Sequence, residues 1–120
     1  MREEKLARLL SRFAAAATAH HAALEAMDEE RANTHARMIA ALHGALLREG
    51  QPGITGLLAL IDSDAPVVAG MAAVYSIHLD PVRCLATLRR VATEPGLLGF
   101  RASVAIERWE TGEWEPLNQE

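Results

Sequence analysis

Four of the five prolines stand where one helical pattern stops and the next starts, and this punctuation constrains the fold more than any other feature of the chain. Proline lacks an amide hydrogen and fixes φ, so it suits the first turn of a helix and breaks an interior. Gly50-Gln51-Pro52-Gly53, Asp64-Ala65-Pro66, Asp80-Pro81 and Glu94-Pro95-Gly96 therefore mark helix boundaries. Ahead of them, Leu6, Leu9, Leu10, Phe13, Ala17, Leu24 and Met27 recur at helical spacing and predict a first helix from Glu3 to Met27. Asp28-Glu29-Glu30 suits the start of a second, carried by His35, Met38, Ile39, Leu42, Ala45 and Leu46. The run Ala14-Ala15-Ala16-Ala17 lets a partner helix approach closely, so residues 3–50 read as an antiparallel helical hairpin.

Residues 51–112 read as two further hairpins in tandem. Ile54, Leu57, Leu58 and Ile61 form the stripe of a third helix, and a fourth runs from Val67 to Leu79. Val82, Leu85, Leu88 and Val91 carry a fifth; Leu97, Leu98, Ala102, Val104, Ala105, Ile106 and Trp109 carry a sixth that Gly112 closes. Asp64 and Asp80 read as N-caps. The fourth helix is apolar nearly all round and is expected at the centre of the packing, where Asp in place of Met71 or Val74 would bury a carboxylate. Residues 113–120 form an acidic tail.

A length of 120 residues fits one domain, and an aromatic content of 4% in an alanine-rich chain favours close-packed helices over sheet. The net charge of −4 and a pI near 5.7 leave no electrostatic footprint for general nucleic-acid binding. The longest later stretch free of Asp, Glu, Lys and Arg, Ala65 to Leu79, is too short to cross a bilayer, and the N-terminal segment is interrupted by Arg8, Arg12, His20 and His21, unlike a signal peptide. The single cysteine, Cys84, cannot form an internal disulfide, which points to the cytoplasm.

A shift of about 30 residues superposes Ile54 on Cys84, Leu58 on Leu88, Ile61 on Val91, Ala72 on Ala102 and Val74 on Val104, a faint repeat of core positions. Leu57 to Val68, followed by Met71-Ala72-Ala73-Val74, resembles the helix–turn–helix of a HEAT repeat, with Ala69 where such repeats commonly carry arginine. Across nearly its whole length the chain also resembles a family of short bacterial proteins catalogued as a domain of unknown function, numbered two thousand and nineteen. Arg12-Phe13 in the first helix, the acidic turn and the Leu58-to-Pro66 segment carry that likeness. The resemblances imply an all-α fold: about six helices in stacked antiparallel hairpins, a HEAT-like short α-solenoid forming a single domain over residues 1–120. They imply no catalytic residues.

His20, His21 and His35 are the candidates for a metal, since the first hairpin brings their turns near each other, with Glu25, Asp28 or Glu29 available to complete a set. The spacing is not His-Glu-x-x-His, so solvated or packing histidines are preferred and no metal or cofactor is expected. Ser63, Asp64, Ser76, His78 and Asp80 include the residue types of a hydrolytic triad without its Gly-x-Ser-x-Gly turn. Cys84 is in register with Leu88 and Val91 and reads as core rather than as a reactive thiol. Gly50, Gly53 and Gly56 border a helix start but read as loop closure and packing, not as a phosphate loop. Arg83, Arg89, Arg90, Arg101 and Arg108 read as a mixed-charge surface.

Trp109 fits the last apolar stripe, whereas Trp114 lies beyond Gly112 between Glu113 and Glu115. Trp114 either anchors a partner or folds back over the core. No catalytic constellation emerges, so the expected role is non-catalytic capture of a protein partner with a basic surface, with Trp109, Glu113, Trp114 and Glu115 at the contact. Small size and acidic balance suit, more narrowly, an immunity-protein or antitoxin-like inhibitor. The alternative is a small-ligand or metal-binding protein using the histidines of the first hairpin.

Overall fold

The computed structural model describes residues 2–114, which form six α-helices and one 3₁₀ turn. The helices are α1 (Arg2–Glu25), α2 (Glu29–Arg48), α3 (Gln51–Ala59), α4 (Pro66–Ser76), α5 (Pro81–Val91) and α6 (Gly96–Glu110), with the 3₁₀ turn at Leu60–Asp62. They pack in antiparallel pairs, so the all-α expectation holds. The chain divides into two units, Met1–Ala59 and Leu60–Glu120.

In the first unit α1 and α2 pack along their length, and α3 packs against both. Phe13, Ala16 and Ala17 of α1 are buried with Ile39, Leu42 and Leu46 of α2 and Leu57 of α3. The alanines bring the helix axes close, so the larger side chains interdigitate around them. Asp28 caps α2 by accepting a hydrogen bond from the Arg31 amide at 3.1 Å. A β-carbon on Gly53 would collide with the Leu46 carbonyl oxygen, and one on Gly56 would stand 2.6 Å from Leu10 Cδ1, so both glycines serve close packing. Lys5 pairs with the largely buried Glu49 at 3.3 Å.

In the second unit α4 packs against α5, α6 and the 3₁₀ turn. Val68, Ala69, Ala72, Ala73 and Ser76 are buried, and Val67, Met71, Val74 and Tyr75 are half-buried, so α4 meets neighbours on several sides. Cys84, Leu88 and Val91 of α5 face inward, as their spacing predicts. Asp80 caps α5 through the Arg83 amide at 3.2 Å. The Ile61 carbonyl accepts from both Thr87 Oγ1 (3.3 Å) and the Arg90 guanidinium (3.2 Å), which ties the 3₁₀ turn to α5.

Several local expectations are corrected. The first helix ends at Glu25, and Met27 lies outside it with φ 58° and 90% exposure. The fourth ends at Ser76, and Leu79 follows a turn closed by its own amide on the Ser76 carbonyl at 2.8 Å. Asp64 does not cap α4. Pro66 at the helix start disfavours helical geometry in the residue before it, so the extended Ala65 is the N-cap, and Ser63 Oγ accepts from the Ala65 amide at 3.1 Å. Val82 is 79% exposed because it lies about 200° around the helix from Cys84, away from the face that Cys84, Leu88 and Val91 bury. Met38 and Leu97 also reach solvent.

Candidate functional site

His20 and His21 are buried near the end of α1, and His35 is half-buried on α2. His21 Nε2 lies 3.2 Å from Glu25 Oε2, one turn on. The Nδ1 atoms of His21 and His35 are buried without a hydrogen-bond partner among the described residues. Asp28 is committed to its cap, and among the described residues no three His, Cys, Asp or Glu groups converge as a metal site would require.

The residues with triad chemistry are held in separate structural roles. Ser63 turns the chain into α4, Asp80 caps α5, and the His78 ring lies 5.3 Å from that of Trp109. Ser76 Oγ is fully buried and has no hydrogen-bond partner among the described residues. The Cys84 thiol is buried, and burial together with the Asp80 charge pushes it up to about 11, with Arg83 opposing in part. It is therefore protonated, and poorly nucleophilic, near neutral pH.

The arginines do not form one groove. Arg83 pairs with Asp62 at 3.2 Å, Arg89 with Glu110 at 3.2 Å, and Arg90 with the Ile61 carbonyl. Arg101 is half-buried, and desolvation holds its pKa below the usual guanidinium range.

The best-formed cluster is at the end of α6. Gly112 adopts φ 77°, and the Glu113 amide donates to the Arg108 carbonyl at 2.8 Å, which folds the chain back on the helix end. That reversal sets the Trp114 ring 5.7 Å from Trp109, at an interplanar angle of 82°. Trp109 in turn meets His78 at 65°, so three rings pack edge to face in series. Both tryptophans remain half-buried. Trp114, Arg108, Gly112 and Glu113 line a shallow concavity of about 520 Å³. Glu113 Oε1 accepts from Thr111 Oγ1 at 3.3 Å, while Glu115 lies outside the described residues.

This fold occurs in a solved bacterial protein. RPA1889 from Rhodopseudomonas palustris CGA009 matches with a TM-score of 0.80 at 20% sequence identity, covering 92% of this chain and 93% of that one. At that identity the match establishes the fold alone. No protein-family model and no curated protein matches the chain. What is shared with RPA1889 is the arrangement of helices; the numbered family expected from Arg12-Phe13 and the Leu58-to-Pro66 segment is not matched by any family model.

His78 as an aromatic partner and the Ile61 carbonyl as a double acceptor leave no mark in the sequence. Both depend on which helices meet. The left-handed Met27 had one local signal, a helix end at Ala26-Met27-Asp28 without glycine.

Proposed function

We propose that this protein is a non-catalytic binding module that captures a protein partner with a basic surface through the end of α6. The observation carrying this reading is the Trp109–Trp114 pair, two half-buried rings fixed edge to face beside the exposed carboxylate of Glu113. Rigid tryptophans lose little freedom on association and are enriched among binding hot spots, while nearby acidic groups steer a basic partner. Glu115 continues the acidic run in sequence. The HEAT-like turn in the sequence supports a binding role, since stacked helix pairs present extended surfaces. The narrower form of the proposal is an immunity-protein or antitoxin-like inhibitor of a basic protein, acting in the cytoplasm.

Partners recovered from the native host and then purified supply the test. Trp114→Ala should weaken binding at least tenfold, and Glu113→Lys should reduce the salt dependence, both with unchanged thermal stability. Unchanged affinity in a folded Trp114→Ala variant removes this interface. If a metabolite co-purifies reproducibly and no protein does, the small-ligand reading replaces this one.

A further inference from the structure

The turn between α1 and α2 combines two costs in one residue. The Met27 amide donates to the Leu24 carbonyl at 3.0 Å, and the Asp28 amide donates to the Ala23 carbonyl at 2.9 Å, the paired bonds of a Schellman helix end. The same pattern closes α6, where Gly112 donates to Trp109 at 3.3 Å and Glu113 to Arg108 at 2.8 Å. In both, the residue between helix and turn is left-handed, at φ 77° for Gly112 and 58° for Met27. Glycine takes that conformation freely; a residue with a β-carbon is strained there. Met27 is the one non-glycine among the described residues with positive φ.

The second cost is solvation. Met27 is 90% exposed, more than any other large apolar side chain described, so packing among the described residues does little to offset the strain. A glycine would remove both. A flexible thioether is suited to filling a partner's apolar pocket, and methionine is enriched at protein interfaces. It is flanked in sequence by the exposed carboxylates of Glu29 and Glu30 and by Glu25, which is exposed while it meets His21 at 3.2 Å, with Arg31 the only Lys or Arg from 25 to 31. An anionic bilayer or a nucleic acid would meet that acidic collar unfavourably, whereas a basic rim would complement it.

We propose that Met27 is the apolar knob of a second protein-docking surface, at the tip of the α1–α2 hairpin, for a partner that presents an apolar pocket rimmed by basic side chains. The surface lies in the first unit and uses none of the tryptophans, so it goes beyond the α6 site and stands without it.

A diazirine amino acid placed at position 27 of the full chain, irradiated in the native host, tests the assignment. The expected cross-link is to a protein segment with apolar residues flanked by Lys or Arg. With that protein purified, Met27→Gly should weaken binding at least tenfold, Met27→Leu should stay within about threefold, and Glu29→Gln with Glu30→Gln should flatten the salt dependence. Met27→Gly should melt no lower than the parent, which separates lost contact from lost fold. A cross-link to lipid, to a second copy or to an acidic segment overturns the proposal. So does the absence of any cross-link, or unchanged affinity in Met27→Gly. Trp114→Ala reads the α6 site separately, so either surface can fail alone.

Discussion

Met27 and Cys84 show how a single position separates what the fold requires from what it tolerates. Relief of a left-handed β-carbon is worth about 1–2 kcal/mol, and glycine's extra unfolded-state freedom returns about 0.5–1. Met27→Gly is therefore expected to stabilise the chain by about 0.5–1 kcal/mol and raise Tm by a few degrees, read by calorimetry. Cys84 is the opposite case, a fully buried group whose ionisation the fold resists. Its thiol is raised from an ordinary 9.0 to about 11, so between those values the unfolded chain has lost a proton that the folded one keeps. Stability should accordingly fall as pH rises from about 9 to 11. Tyr75, also raised from 10.0 by burial, acts in the same direction. Urea midpoints measured across that range should decline, and decline less steeply in Cys84→Ala; parallel slopes for the two proteins would place the alkaline sensitivity elsewhere.

Among the elements, α4 depends most on the absence of charge. Ala69, Ala72 and Ala73 are fully buried, whereas Met71 and Val74, the positions singled out from sequence, are only half-buried. The sharper test is Ala69→Asp, which would place a carboxylate at a fully buried position. A loss of several kcal/mol or failure to fold is expected, seen as a lowered denaturant midpoint or the absence of a cooperative transition. Helix starts were legible because their causes are local: Asp28 and Asp80 cap through their own side chains, and Pro66 and Pro81 open helices in place. Exposure of Val82 was not, since apolar character at a first turn does not say which way the helix is rotated against its neighbours. The Trp109–Trp114 contact was likewise hidden, because five residues across a helix end follow no helical period. The end at Gly112 was predicted, but the edge-to-face stack requires the reversal of the chain that Gly112 and the Arg108 carbonyl produce.

Across the whole molecule, the same devices recur. α2 and α5 each begin on an aspartate that accepts from the amide three residues on, and each is followed by a helix whose glycine, Gly53 or Gly99, sits against a carbonyl of the preceding chain. Neither unit draws on a convergent set of metal-ligating side chains among the described residues, so a chelator is expected to leave Tm unchanged; elemental analysis of the purified protein checks the same point. Stoichiometric zinc lost on replacing His21 and His35 by Ala would reverse that ranking. The double acceptor at Ile61 also sets an order of events. A turn of three residues has little intrinsic stability, and here the Ile61 carbonyl accepts from side chains 26 and 29 positions later. On the ribosome, the Leu60–Asp62 turn therefore lacks both side-chain donors until α5 has emerged, so a chain halted before Thr87 should expose this segment to proteases more than the finished chain does.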